Sequence, residues 1–101
     1  MAPPRPPSRG LHTSSTLRLG RFACGPGDAL WRADNQIGPW PLLAFPGTAV
    51  EILQSGRPAI VATPHRVILY NARQEYRRRL VDARGDHCVF VTLAPALLQE
   101  L

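Results

Sequence analysis

The sharpest charged feature of this sequence of 101 residues is a run of three arginines, Arg77, Arg78 and Arg79, which follows Glu75 and Tyr76. Alternate residues of a β-strand point to opposite faces. Arg77 and Arg79 therefore share a face with Glu75, and that face suits solvent. Arg78 shares the other face with Tyr76, where a planar guanidinium could hold a carboxylate or similar anion at the mouth of a barrel. A second interpretation leaves Arg78 at the margin of a sheet.

The histidines offer little metal chemistry. A His-x-His pair on one strand points both imidazoles to one face, where they can share a metal ion. The three histidines of this sequence, His12, His65 and His87, contain no such pair. Glu51 could approach His65 and His87 in space, but their spacing does not support a site. We therefore expect solvated histidines near turns, with no bound metal and no cofactor.

Two cysteines and one glycine-rich turn complete the candidates for chemistry. Cys88 stands beside His87, but neighbouring strand residues point to opposite faces, so the two cannot form a nucleophile–base dyad. The turn Gly25-Pro26-Gly27 has a proline where a phosphate-binding loop needs a backbone donor. Cys24 and Cys88 lack metal-site spacing and are expected to be reduced and half-buried. No enzyme is therefore expected.

Short apolar segments separated by turn residues must position these side chains. Segments of this length and spacing predict an all-β fold, an antiparallel sandwich or barrel. Pro95 suits the first turn of a helix that has Leu97, Leu98 and Leu101 on one side. The predicted strands are Ala29–Arg32, Leu42–Phe45, Ala49–Gln54, Ala59–Ala62, Arg66–Tyr70, Glu75–Val81 and Cys88–Leu93.

The apolar residues of these strands predict the core. Trp40 lies in an extended Pro39-Trp40-Pro41 segment and is expected in the core too, because large rings are buried wherever a sandwich can take them. Its alternative role is the wall of a ligand pocket, together with Tyr76 and Arg78. The other predicted core residues are Val50, Ile52, Ile60, Val67, Leu69, Val89, Val91 and Leu93.

Residues 1–21 differ in composition and are predicted to be a disordered extension. They hold four of the twelve arginines and none of the seven acidic residues, together with several prolines and serines. Such a segment lacks the apolar content to order itself. Residues 22–101 are close to neutral, which argues against a nucleic-acid-binding face on the folded part. An organelle transit peptide has a similar composition, but the prolines oppose its amphipathic helix.

An ordered set of markers runs through residues 22–101. The markers are Trp40 before Leu42–Pro46, the Phe45-Pro46-Gly47 corner, the Val50–Leu53 strand, the Gly56 turn, the Val67–Asn71 strand, Glu75-Tyr76, Gly85-Asp86 and the closing segment 93–101. In this order they resemble the N-terminal, cupin-like sensing half of AraC-family transcription regulators. The resemblance implies a jelly-roll module that binds a small effector or mediates dimerisation. In that family, helices join the module to two DNA-binding helix-turn-helix motifs.

The sequence departs from the family at its end. No segment is long or helical enough to be a recognition helix, so no DNA contact is expected, and Pro95 is interpreted as the start of an incomplete linker helix. The expected partners are a small-molecule effector and a second copy or a full-length relative. A cytoplasmic location is expected, since no apolar run approaches the roughly 20 residues of a membrane span. The alternative is a stand-alone cupin-fold ligand-binding protein or metal-dependent enzyme.

Overall fold

The computed structural model describes residues 8–54 and 56–99, and in them the chain forms nine β-strands and two short helices. A 3-10 helix, Ala29–Arg32, follows the second strand, and an α-helix, α1, spans Pro95–Leu98. Neither of these described helices is long and apolar enough to cross a membrane. The strands are β1 Ser8–Thr13, β2 Leu17–Cys24, β3 Asn35–Gln36, β4 Leu42–Pro46, β5 Val50–Leu53, β6 Ile60–Ala62, β7 Ile68–Tyr70, β8 Glu75–Leu80 and β9 Asp86–Leu93.

The strands form two sheets in which neighbouring strands are antiparallel. A five-stranded sheet has the order β1-β2-β9-β4-β7, and a four-stranded sheet has the order β3-β8-β5-β6. The longest pairing joins β2 to β9, from Leu17 opposite Leu93 to Cys24 opposite Asp86. The predicted all-β, antiparallel fold with a short helix after it is confirmed.

The core between the sheets is small. Trp31, Leu42 and Tyr76 pack against it and are only partly buried. The fully buried part of the core consists of aliphatic side chains and one tyrosine. These side chains do not fill all of the space between the sheets. The buried members are Ile37, Ala44, Val50, Ile52, Ala62, Ile68 and Tyr70.

The predicted strand Ala29–Arg32 is wrong, because this segment is a 3-10 helix. The residue before it, Asp28, caps the helix: its Oδ1 accepts a hydrogen bond from the Leu30 amide at 2.9 Å. An acidic side chain that satisfies a free amide at a helix start competes with strand pairing. The cap therefore decides the local structure of an otherwise apolar segment.

The predicted disordered extension is wrong for residues 8–21. Most of this stretch lies in β1 and β2, and β2 is an inner strand, paired with β1 on one side and with β9 on the other. Pairing on both edges satisfies its backbone donors and acceptors, and this outweighs a composition rich in arginine and serine. Residues 1–7, the remainder of the predicted extension, lie outside the described residues.

The predicted core is only partly correct. Val50 and Ile52 of β5 are 2% and 4% exposed, as expected for core residues. Three others lie at the surface: Ile60, Val67 and Leu69 are 37%, 56% and 61% exposed. A shift of one residue moves every side chain of a strand to the opposite face, and an apolar run does not reveal which set faces inward.

The inward sets of β7 and β9 explain this error. Ile68 and Tyr70 of β7 are buried, so Leu69 between them points away from the core. In β9, Asp86, Cys88 and Phe90 face the space between the sheets. The other three predicted core residues, Val89, Val91 and Leu93, therefore lie on the outward face of the five-stranded sheet, where they are half-buried.

Gly85 and Thr48 fix the connection that leads from β8 into β9. Gly85 has φ +97°, and a Cβ atom there would lie 2.1 Å from the carbonyl oxygen of Cys24. The buried Thr48 hydroxyl donates to the Gly85 carbonyl oxygen at 2.7 Å and accepts from the His87 amide at 3.0 Å. These contacts set where β9 begins and thereby place Asp86 at the interior.

Candidate ligand-binding cavity

A cavity of about 350 Å³ lies between the two sheets. Its size is at the lower end of the range usual for small-molecule sites. Most of its wall is apolar, and side chains from both sheets contribute. The apolar lining includes Phe22, Leu30, Ile37, Leu42, Ala44, Val50, Ile52, Ala62, Ile68 and Phe90, and the polar lining includes Asn35, Tyr70, Tyr76, Arg78, Asp86 and Cys88.

Arg78 is the centre of the polar part of the wall. Its side chain is 5% exposed, and its Nη1 donates to Asp86 Oδ2 at 2.9 Å. Its Nη2 donates to the Tyr76 hydroxyl oxygen at 2.7 Å. The guanidinium carbon also lies 4.3 Å from the centre of the Phe22 ring, a cation–π distance. Both ends of the guanidinium fork are thus already occupied by protein groups.

The two tyrosines stand side by side at the cavity wall. The centres of the Tyr70 and Tyr76 rings are 4.9 Å apart, with the ring planes tilted by 42°. Tyr70 is 6% exposed, and no described residue forms a hydrogen bond with its hydroxyl. The Tyr76 oxygen accepts from Arg78, which leaves its own O–H proton free to donate.

Burial governs the titration of these groups. Burial raises the pKa of Asp86, and the neighbouring Arg78 charge offsets part of that rise. Burial likewise raises the pKa of Tyr70 and of Tyr76, and it raises the pKa of the Cys88 thiol to about 12. At neutral pH the tyrosines and Cys88 are therefore uncharged, and the Arg78–Asp86 pair supplies the charges among the described side chains that line the cavity.

The structure brings Tyr76 and Arg78 together at the cavity but does not place Trp40 there. Trp40 follows β3 and is half-buried, and the Arg18 guanidinium carbon lies 4.3 Å from its ring centre. It is absent from the cavity lining. The proline on each side of Trp40 forces extended backbone but does not determine which face the ring takes.

The alternation predicted for β8 agrees with the geometry. Arg77 and Arg79 are mostly exposed, with side-chain exposures of 63% and 66%. Arg77 pairs with Asp34, and Arg79 Nη1 lies 2.7 Å from Glu51 Oε1. The interpretation that put Arg78 at the margin of a sheet does not fit its burial.

The residues considered for a metal site are dispersed. Glu51 is paired with Arg79 on the outer surface, His65 is exposed, and the His87 ring nitrogen Nε2 lies 3.0 Å from the Arg84 carbonyl oxygen. Within residues 8–54 and 56–99, no group of three or more His, Cys, Asp or Glu side chains could hold a metal ion. The cavity lining itself offers Asp86 and Cys88 without an imidazole, and Asp86 is already paired with Arg78, so these side chains do not fit a resident metal.

Cys88 and His87 point to opposite faces, as the strand alternation predicted. Cys88 lines the cavity, whereas His87 is exposed. Both cysteines are free thiols: Cys24 is buried and Cys88 is half-buried.

Sequence reasoning missed two members of the polar cluster, Asp86 and Tyr70. Asp86 follows Gly85 and lies before the predicted strand Cys88–Leu93, although it shares strand alternation with Cys88, two residues later. That alternation was the available signal for Asp86. Tyr70 ended a predicted strand whose inward set was assigned to Val67 and Leu69, so its burial went unrecognised.

The outward face of the five-stranded sheet carries a row of apolar side chains. Leu19 of β2 is opposite Val91 of β9, Val91 is opposite Leu43 of β4, and Leu43 is opposite Leu69 of β7. These four residues form a row across four adjacent strands, here called the outer row. Leu69 is 61% exposed, and Phe45 on the same face is 44% exposed.

Solved structures identify the architecture as a cupin double-stranded β-helix. A cupin-family protein of this fold from Methanocaldococcus jannaschii superposes with a TM-score of 0.69 at 3% identity, covering 93% of this chain and 84% of that one. EutQ from Clostridium difficile superposes with a TM-score of 0.67 at 14% identity and covers 85% of this chain, which spans 65% of the length of EutQ. The Cupin_2 domain of an XRE-family transcriptional regulator from Enterobacter cloacae gives 0.65 at 12% identity, covering 87% and 95%.

These similarities concern the fold and leave the function open. Similar structures also include the DMSP lyase DddQ from Ruegeria pomeroyi (TM-score 0.58, 15% identity, covering 81% of this chain and 40% of that one). Another is a putative mannose-6-phosphate isomerase from Ralstonia eutropha (TM-score 0.60, 18% identity, covering 85% and 82%). No protein-family model matches the sequence, and no curated protein matches it.

Proposed function

We propose that this cupin-fold chain is a ligand-binding module that senses a small organic molecule between its two sheets. The observation that carries the proposal is a polar cluster, Tyr70, Tyr76, Arg78 and Asp86, set into an otherwise apolar cavity. Binding sites typically combine a largely apolar wall with a few fixed polar groups that orient the ligand. The cluster provides such fixed groups because Arg78 holds both Tyr76 and Asp86.

We propose binding rather than catalysis for this cavity. A general base or nucleophile needs a pKa close to the working pH. The Cys88 thiol has a pKa of about 12, and the Asp86 carboxylate is engaged by Arg78. Neither group is poised for proton transfer or attack at neutral pH.

The biological setting we propose is a cytoplasmic transcription regulator of the AraC type, in which this module would be the sensing half. The similarity of the chain to the cupin domain of an XRE-family regulator supports a regulatory role for this fold. Ligand binding would then favour one of two arrangements of the regulator. The size of the shift would depend on how much more tightly the ligand binds one arrangement than the other.

Ligand binding is tested with a substitution that fills the cavity. Ala62 lines the cavity and is 4% exposed, so Ala62→Leu places additional side-chain atoms inside it. Ala59→Leu is the matched control, since Ala59 is exposed. A fragment library is screened by ¹H–¹⁵N NMR, and circular dichroism verifies that both variants keep the β-fold. We expect fragments that shift resonances of cavity residues, with binding lost in Ala62→Leu and retained in Ala59→Leu. Equal binding by both variants, or no binder for the wild-type protein, would refute the proposal.

A second candidate function is association with another copy of this chain, or with a full-length relative, through the outer row. The row contains aliphatic side chains alone, so a two-fold axis can place it against itself without bringing like charges together. Aligned packing of two sheets is a common arrangement of such faces. Arg9 and Arg21, opposite each other on β1 and β2, lie on the same face and border the row at its β2 end.

Sedimentation equilibrium tests this association. Leu69→Lys puts a charge into the outer row, and Val81→Lys is the matched control because Val81 is 54% exposed and lies outside the row. We expect a dimer for the wild-type protein and for Val81→Lys, and a monomer for Leu69→Lys. A monomeric wild-type protein at the highest concentration, or a dimer that survives Leu69→Lys, contradicts this function.

A further inference from the structure

On the basis of the ligand-binding function proposed above, we propose that the cavity takes a neutral, largely apolar molecule that carries one hydrogen-bond acceptor, such as a carbonyl group. The first reason is the charge of the cavity wall. Among the described residues that line it, only Arg78 and Asp86 are charged, and they form an ion pair with an Nη1–Oδ2 distance of 2.9 Å. The interior therefore carries no net charge at neutral pH.

A charged ligand would compete with this ion pair. Arg78 Nη1 donates to Asp86 and Nη2 donates to Tyr76, so the guanidinium charge is already balanced by a carboxylate. A ligand that displaced Asp86 would leave a carboxylate that is 13% exposed without its partner. Breaking a buried ion pair is costly because one charge remains in a poorly solvated site. An anion that left the pair intact would add an unbalanced negative charge to the cavity, and a cation would add an unbalanced positive one.

The second reason is that the wall has hydrogen-bond donors without partners. In the described part of the chain, three buried side-chain atoms form no hydrogen bond. They are Gln74 Nε2, Arg78 Nε and Thr92 Oγ1. The Tyr70 hydroxyl has no hydrogen-bond partner among the described residues, and Tyr70 lines the cavity and is 6% exposed. A ligand in the cavity is therefore the partner that we assign to this hydroxyl.

Tyr76 adds a second donor beside the first. Its oxygen accepts from Arg78, so its O–H proton points elsewhere, and its ring lies 4.9 Å from the Tyr70 ring. Both phenols therefore line the same cavity on neighbouring rings. A carbonyl oxygen has two lone pairs and accepts from both. The aliphatic wall formed by Ile52, Ile68 and other residues then covers the hydrocarbon part of the molecule.

The test compares three molecules of nearly equal shape. Acetophenone is neutral and has a carbonyl acceptor, ethylbenzene has no acceptor, and benzoate is an anion. Each is titrated into the full chain and into Tyr70→Phe, which removes one hydroxyl and keeps the ring, with dissociation constants measured by ¹H–¹⁵N NMR. One neutral hydrogen bond contributes about 1 kcal/mol, which corresponds to an approximately five- to tenfold change in affinity. We expect acetophenone to bind about five- to tenfold more tightly than ethylbenzene, and benzoate more weakly than both.

The Tyr70→Phe variant identifies the donor. It should show a reduced preference for acetophenone over ethylbenzene, because Tyr76 remains as the second donor, and keep its affinity for ethylbenzene, which also shows that the cavity remains intact. Tighter binding of benzoate than of acetophenone, or an unchanged preference in Tyr70→Phe, overturns the inference and leaves the ligand-binding function standing. If none of the three molecules shifts cavity resonances in the wild-type protein, both the inference and the proposed function fail for ligands of this size.

Discussion

Arg78 Nη1 and Asp86 Oδ2, 2.9 Å apart, join the two sheets of the molecule. Arg78 belongs to β8 in the four-stranded sheet, and Asp86 opens β9 in the five-stranded sheet. The pair thus spans the interior between consecutive strands that lie in different sheets. It contributes both to holding the sheets at their spacing and to the polarity of the cavity.

Asp86→Ala should strongly destabilise the fold. The substitution leaves the Arg78 charge, 5% exposed, without its carboxylate, and removal of one partner from a buried pair costs about 3–5 kcal/mol. Urea unfolding followed by circular dichroism measures the loss. Asp34→Ala is the control, because Asp34 pairs with Arg77 at the surface, where ion pairs contribute little. Similar unfolding midpoints for the two variants would contradict a structural role of the inter-sheet pair.

Gly85→Ala should also destabilise the protein. An added Cβ atom would lie 2.1 Å from the Cys24 carbonyl oxygen, and the φ of +97° is unfavourable for a residue with a side chain. Backbone strain of this kind costs about 1–3 kcal/mol, before the steric contact is counted. Gly27→Ala is the matched control, since nothing lies within 4 Å of its added Cβ atom. Thermal unfolding that gives Gly85→Ala and Gly27→Ala equal midpoints would show that this close approach does not form.

The Cys88 thiol should react slowly in the folded protein. Burial raises its pKa from 9.0 to about 12, which lowers the thiolate fraction at pH 8 by about three orders of magnitude. The thiolate is the reactive form, so the rate falls in proportion. Cys24 is 3% exposed, and its pKa is raised as well. Reaction with Ellman's reagent should be slow in buffer at pH 8, rise as the pH increases and become rapid in urea. Fast stoichiometric labelling in buffer would mean that the thiols are accessible.

Gly20→Ala should reduce the space available to a ligand. A Cβ atom at Gly20 would lie 2.3 Å from Phe90 Cζ, and Phe90 lines the cavity. We expect the displaced ring to occupy part of that space, with weaker ligand binding and a smaller effect on unfolding. Gly10→Ala on the neighbouring strand β1 is the control, because nothing lies within 4 Å of its added Cβ atom. Titration with the same NMR probe compares the two variants, and equal affinities would be inconsistent with the displaced ring.

Strand alternation predicted one half of the polar cluster and could not predict the other. Tyr76 and Arg78 are two residues apart in a single strand, so their common face follows from local geometry. Their partner Asp86 follows a glycine that indicates a turn, and its contact with Arg78 depends on how two different sheets approach each other. Sequence spacing carries no information on that approach.

The errors in the fold prediction have a related cause. Leu69 and Ile68 are both strand-forming apolar residues, and only packing between the sheets determines that Ile68 is buried. Arg18 lies in a segment whose composition predicted disorder, yet its guanidinium covers the Trp40 ring. Contacts between segments that are distant in the sequence determine which residues are buried. The position of Trp40 relative to the cavity therefore could not be predicted from its neighbours in the chain.

The outer row of Leu19, Val91, Leu43 and Leu69 has a thermodynamic consequence. Because the row itself contains no ionisable group, contact through it would bury mainly hydrocarbon. Burial of hydrocarbon has a large negative heat-capacity change and weakens on cooling, whereas sulfate strengthens it. Association through this face should therefore be stronger at room temperature than on ice, and a protein sample kept cold would be enriched in single chains.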